Sequence, residues 1–238
     1  MYFAARMNTV DIILPVYNPL TGWEDTVIHR FQSIEKRFPD LRFHLHIIND
    51  GSSKLDELRS VEQLKSNLPN FNWISYSVNQ GKGYALRQGV ASSTADAIVY
   101  TDIDWPYTES SMVEMIHLLE QGAMVVIGVR DKGYYAHLPT MRKVISRWLR
   151  MFNGYLLRLK VDDTQAGLKA FRSEIKPVFM TTTINRYLFD LEFIYLLAKR
   201  KIKVESLPIT LREGITFSKM NRKILLQEAF NFLHIWVR

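Results

Sequence analysis

Ala97-Ile98-Val99-Tyr100-Thr101-Asp102-Ile103-Asp104 is the stretch that decides how this chain is read. Its first half is β-branched and aromatic, as in a buried strand. Its second half brings two carboxylates, which share one side of the backbone wherever the chain stays extended. Carboxylates that close raise each other's pKa unless a cation neutralises them. An oxygen-only pair suits Mg²⁺ or Mn²⁺ rather than zinc. The plainer alternative is that the pair caps a helix beginning near Glu109, since aspartate is common at helix N-termini.

Upstream, strand-like and helix-like segments alternate. Val10 to Val16 is an apolar run of the kind buried on both faces, and it ends in the turn sequence Tyr17-Asn18-Pro19. Trp23, Val27, Ile28, Phe31, Ile34 and Phe38 follow at helical spacing. A second strand, Phe43 to Ile48, runs into Asn49-Asp50-Gly51-Ser52-Ser53, and a helix is expected from about Leu55 to Leu64. His44 and His46 fall on one face of that strand, where packing or exposure is a better account than metal binding because no third ligand is indicated. A third strand, Asn72 to Val78, meets Asn79-Gln80-Gly81-Lys82-Gly83, with a helix from Tyr84 to Ala91.

Downstream, a helix over Ser110 to Glu120 and a strand over Ala123 to Val129 complete the alternation. Such a pattern predicts an α/β fold with a mostly parallel sheet between helices, and ligand crevices of these sheets lie at the carboxyl ends of the strands. Tyr17, Asp50, Asn79, Lys82, Asp102, Asp104 and Arg130 all follow strands, so they are expected on one edge. The Gly-Lys-Gly turn is either a plain tight turn or a ligand contact whose helix offers N–H groups to a phosphate. It lacks the P-loop spacing.

Beyond Arg130 the alternation stops. Residues 140–160 mix Arg142, Lys143 and other basic residues with Trp148, Leu149, Phe152 and Leu156 at helical spacing, as in either a surface helix or a helix lying on anionic lipid. Asp162 to Gly167 reads as a polar turn before the strand-like Leu168 to Phe171, Arg186 to Lys199 as a helix and Val204 to Ile209 as a late strand. Leu211 to Lys219 has the composition of a mobile loop, and 221–238 that of an amphipathic helix.

The chain has 238 residues, no cysteine and a formal net charge of +7. Disulfides, thiolate metal sites and cysteine nucleophiles are therefore excluded, and a reducing compartment fits. The charge suits nucleotide phosphates, an anionic membrane or nucleic acid, but no nucleic-acid motif accompanies it. Met1 to Asn8 has no secretion-signal pattern, and no apolar run approaches about 18 residues, so no transmembrane helix is expected.

In their order, Asn49-Asp50-Gly51-Ser52, Asn79-Gln80-Gly81-Lys82-Gly83, Asp102-Ile103-Asp104, Gly128-Val129-Arg130 and Asp163-Thr164-Gln165-Ala166-Gly167-Leu168-Lys169 resemble the family 2 glycosyltransferases of GT-A fold. Within these the likeness is to the dolichyl-phosphate mannose synthase group, and it spans nearly the whole chain. It implies a single domain over 1–238. The Rossmann-like half, 1–130, would hold the nucleotide-sugar, and 131–238 would hold the acceptor.

The implied activity is inverting, metal-dependent transfer of a hexose from a GDP-mannose or UDP-glucose type donor to a polyprenyl phosphate. The acceptor could instead be a glycan hydroxyl, or the chain a binding module without catalysis. By position, Pro15, Tyr17, Asp50, Lys82, Asp163 and Gln165 would hold the nucleotide-sugar, while Asp102 and Asp104 would bind Mg²⁺ or Mn²⁺ on its diphosphate. Arg130, Arg142, Lys143 and Ser146 would meet the acceptor, with Arg212 and Lys219 where donor and acceptor phosphates approach. Asp190 and Glu192, in Phe189-Asp190-Leu191-Glu192, are the candidate bases should the acceptor be a hydroxyl. The family commonly has Glu in place of Pro19 and Leu-Gln in place of Trp105-Pro106. The resemblance also implies a cytoplasmic protein peripheral to the membrane face.

Overall fold

The computed structural model describes residues 6–130, 166–186 and 188–212. The readings for Arg142, Lys143, Ser146, Asp163, Gln165, Lys219 and the helix over 221–238 lie outside these residues.

Seven strands form one sheet in the order β3-β2-β1-β4-β6-β5-β7. They are β1 (Thr9–Val16), β2 (Arg42–Asp50), β3 (Phe71–Tyr76), β4 (Ala97–Tyr100), β5 (Val125–Arg130), β6 (Lys169–Arg172) and β7 (Glu205–Ile209). All run parallel except β6, which lies antiparallel between β4 and β5. The expected alternation is therefore observed, with one reversed strand that hydrophobic pattern alone does not distinguish.

Alternate residues of each strand face opposite sides of the sheet. Val10, Ile12, Leu14 and Val16 pack under α1 (Trp23–Arg37), α2 (Glu57–Asn67) and α4 (Glu109–Glu120). Ile13, Ile98 and Tyr100 face the other layer, made of α3 (Lys82–Ser92), the short α5 (Lys176–Phe179) and α6 (Phe189–Lys199). Gly89 of α3 lies so close to the sheet that an added Cβ would stand 2.5 Å from Ile13 and 2.7 Å from Ile48.

His46 is buried in this layer, its Nε2 3.0 Å from Asp11 and its ring 4.7 Å from that of His44. Burial pushes the Asp11 carboxyl up, but the hydrogen bonds from His46 and Ser93 outweigh it and hold the group below the ordinary range. A second carboxylate ties β1 to β4 where both strands begin. Asp96 accepts from the Asn8 and Thr9 amides at 2.8 and 3.0 Å and from the Thr9 hydroxyl at 3.0 Å. Slight burial raises the Asp96 carboxyl, and these three donors lower it by more.

β4 ends at Tyr100, where the strand-like first half of the stretch ends, and the two aspartates lie beyond it. The Thr101 amide still reaches Ile13 at 3.3 Å, after which the Trp105 amide folds back onto the Asp102 carbonyl at 3.0 Å. Trp105 takes a left-handed φ of 46° and its ring is buried, while Pro106 disfavours the helical alternative for the residue before it. Nor do the aspartates cap α4, whose N-cap is Thr108.

A carboxylate whose folded pKa is depressed contributes stability above its unfolded pKa and loses it as pH falls through the folded value. Urea unfolding should therefore show Asp96→Asn less stable than wild type at neutral pH, the gap narrowing on acidification to about pH 3. A gap independent of pH would remove the assignment.

Candidate active site

Asp102 is held from two sides. Lys82, the first residue of α3, brings Nζ to 2.5 Å from Asp102 Oδ1. Behind the aspartate runs the backbone of Gly167, where an added Cβ would overlap the Asp102 carboxylate and lie 3.4 Å from Lys82 Nζ. Only glycine leaves room for that approach. The Gly167 amide is fixed in turn by donating to the Tyr107 hydroxyl at 3.0 Å.

The charges follow from this packing. Burial pushes the Lys82 ammonium down, but Asp102, Asp190 and Asp104 together raise it above its ordinary value, so it stays charged. Burial pushes the Asp104 carboxyl up, Asp102 pushes it further, and Lys82 and Arg212 only partly offset this. Two carboxylates on one turn, the second reluctant to ionise, are relieved by a cation. Among the described residues no third histidine, cysteine, aspartate or glutamate joins them. An all-oxygen pair with its other positions left to water and phosphate is the donor set Mg²⁺ and Mn²⁺ accept, so the residues fit such an ion.

Arg212 follows β7 and turns towards the same loop. Its Nε donates to the Trp105 carbonyl and its Nη2 to the Asp104 carbonyl, both at 2.6 Å. Arg130 ends β5 beside Ile209, half-buried on the same edge. Pro15 and Tyr17 leave β1, next to β4, with Pro15 half-buried and Tyr17 54% exposed. The expected convergence on one edge thus holds for these residues together with Lys82, Asp102 and Asp104.

Asp50, expected at the nucleotide, is enclosed where β2 ends. It is 3% exposed and accepts from the Tyr76 hydroxyl at 2.8 Å, Asn79 Nδ2 at 2.7 Å and the Gln80 and Gly81 amides at 2.7 and 2.9 Å. Of the two readings of the Gly-Lys-Gly turn, the tight junction is seen in the Gly83 and Tyr84 amides, which donate to the Asn185 carbonyl at 2.7 and 3.4 Å. Glu192, fully buried, accepts from the Thr183 and Ile184 amides, both at 2.8 Å, and from the Thr183 hydroxyl at 2.9 Å. It braces the segment against which the glycine turn packs.

Asp190 also lies inside. Its Oδ1 meets Lys169 Nζ at 2.6 Å and accepts from the Tyr100 hydroxyl at 2.8 Å. Lys169 is completely buried and also donates to the Ala166 carbonyl at 2.6 Å. Sequence reading passed over Lys169, Tyr100, Tyr107 and Gly167 as individual residues. The available signal was a lysine in the middle of a strand-like apolar run.

The mostly parallel sheet with helices on both faces is a GT-A fold. The mannosyltransferase PcManGT from Pyrobaculum calidifontis, solved with GDP-Man and Mn²⁺, shares the fold with a TM-score of 0.60 and 16% identity. The likeness covers 85% of this chain and 55% of that one. The chain belongs to glycosyl transferase family 2, whose model matches residues 11–178.

Similar proteins include the dolichyl-phosphate beta-glucosyltransferase ALG5A of Trichomonas vaginalis, 24% identical over 95% of this chain and 72% of the relative. The dolichyl-phosphate beta-glucosyltransferase of Saccharomyces cerevisiae is 27% identical over 89% of this chain and 69% of its own length. That of Dictyostelium discoideum is 26% identical over 86% of this chain and 66% of its own, so this chain spans about two thirds of these relatives.

Breaking a buried ion pair from one side leaves an uncompensated charge and costs about 3–5 kcal/mol, whereas an apolar pair of similar volume is often neutral. Chemical denaturation should accordingly find Asp190→Ala strongly destabilised and the Lys169→Met/Asp190→Leu double variant recovered in part. Equal losses in both would count against the pair.

Proposed function

We propose that this glycosyltransferase moves a hexose from a nucleotide-sugar to a polyprenyl phosphate. The observation that bears most on the acceptor is the burial of Asp190 and Glu192. A hydroxyl acceptor needs a base to take its proton, and the two carboxylates best located in sequence for that work are engaged inside the fold. A phosphate monoester is anionic near neutral pH and attacks without one. The names of the relatives, dolichyl-phosphate beta-glucosyltransferases aligned along most of the chain, point the same way and favour glucose as the sugar.

In this reading an acceptor phosphate oxygen forms a bond to the anomeric carbon while the bond from that carbon to the diphosphate breaks. The electron pair leaves with the nucleoside diphosphate, and a single in-line displacement inverts the centre. Negative charge grows on the leaving group, so the site must supply positive charge already in position. Lys82, kept ionised by its three carboxylates, is one source. Asp102 and Asp104 would hold Mg²⁺ or Mn²⁺, which neutralises diphosphate charge when bound. Arg130 stands at the same edge for an acceptor or donor phosphate.

Arg142, Lys143, Ser146 and Lys219 are assigned to the acceptor side, and Asp163 and Gln165 to the sugar, by motif position alone. Among the described residues no helix is long and apolar enough to cross a membrane. The lipid acceptor is therefore taken to be met at a membrane's cytoplasmic surface, with the basic, aromatic sequence over 140–160 as the contact.

A panel of labelled UDP- and GDP-hexoses with Mg²⁺ or Mn²⁺, offered a short polyprenyl phosphate beside a neutral glycan, tests this. Label should appear on the polyprenyl phosphate and fall about 10²-fold or more in Asp104→Ala. Label on the glycan alone would replace the reading with hydroxyl transfer.

A further inference from the structure

Arg212 belongs to a short segment that closes over the aspartate turn. The Thr108 amide donates to the Thr210 carbonyl at 3.0 Å, the Arg212 amide to the Pro106 carbonyl at 2.9 Å and the Thr210 amide to the Ser111 hydroxyl at 3.2 Å. Tyr107 and Leu211 form an antiparallel bridge between them. This pairing brings the Arg212 side chain over the turn, where Nε and Nη2 engage the consecutive carbonyls of Trp105 and Asp104. The guanidinium is a rigid planar fork, and two neighbouring carbonyls match it as a lysine ammonium cannot.

The turn needs such a hold. Trp105 is a bulky residue at φ 46°, a conformation that costs on the order of 1–3 kcal/mol and persists only where its surroundings over-determine it. Its amide is tied to Asp102, its carbonyl to Arg212 and its ring is buried, so both peptide planes flanking it are fixed. Asp104 sits immediately before it, with its own carbonyl in the same fork. The backbone that carries the Asp104 side chain is thereby held in place.

We propose that Arg212 is a positioning residue: it aims Asp104 at the metal through the carbonyls of Asp104 and Trp105, and does not act as a phosphate ligand. The proposal rests on the donor-binding reading above and departs from the sequence expectation that Arg212 meets the donor and acceptor phosphates directly. A residue that orients a metal ligand typically changes metal affinity by about 10–100-fold when replaced. A phosphate ligand would contribute whether or not metal is present.

The test compares wild type, Arg212→Lys and Arg212→Ala by calorimetric titration with UDP and with GDP, once in Mn²⁺ and once in EDTA. Loss of the free Mn²⁺ electron paramagnetic resonance signal gives a second readout, independent of turnover. Both variants are expected to lose about tenfold or more of the Mn²⁺-dependent gain in nucleotide affinity while binding in EDTA stays within about twofold of wild type. Arg212→Lys decides the matter, because it keeps the charge and loses the fork, and unchanged affinity in EDTA certifies that it is folded. Recovery by lysine, or no loss in Mn²⁺, overturns the proposal. So does an equal loss in Mn²⁺ and EDTA with the melting temperature of Arg212→Lys preserved. If wild type binds neither nucleotide with Mn²⁺, the donor-binding reading fails first and the proposal falls with it.

Discussion

The buried contact between Lys169 and Asp190 is the constraint around which the crevice is arranged. It joins the one reversed strand to the first turn of α6 and takes in Tyr100, the last residue of β4. A charge removed from water is tolerable only when paired and hydrogen-bonded, so all three elements must meet at one register. Asp102 follows Tyr100 by two residues and Gly167 precedes Lys169 by two. The same register therefore brings the glycine backbone against the aspartate. Lys82 joins the group through its ion pair with Asp102, and three carboxylates raise its pKa against burial.

The four residues of Phe189-Asp190-Leu191-Glu192 divide this work between two neighbours. Asp190 serves the sheet, and Glu192 serves the 183–184 turn on which the Gly-Lys-Gly junction closes. Chemistry-bearing residue types at the start of a helix thus act as braces, and among the described residues the crevice edge carries Lys82, Asp102, Asp104, Arg130 and Arg212. Positive charge held in place beside paired carboxylates is the arrangement that stabilises a developing anion.

Much of this was legible in the sequence, for identifiable reasons. β1 and β2 are apolar runs bounded by turn residues, and α1 repeats its apolar residues at helical spacing, so local pattern and tertiary burial agree. The Asp-x-Asp pair, the lysine after Gly81 and the order of the motifs located the crevice edge. What the pattern hid were choices made by long-range partners. Asp50 looked like a crevice acid because it ends a strand, yet its side chain is satisfied by groups some thirty residues later. The tight turn after β4 was hidden as well, since β-branched Ile103 favours extension while Trp105 and Pro106 impose a turn. β6 is four residues long and gives no sign of its direction.

That reversal has an architectural effect. Parallel strands deliver the chain to the crevice at their carboxyl ends, but β6, running the other way, receives the chain there at its amino end. The described chain therefore leaves the sheet at Arg130 and rejoins it at Lys169 on the same rim. Each anchor point is held by its own strand pairing, β5 against β7 and β6 against β4, like two posts driven into one bank.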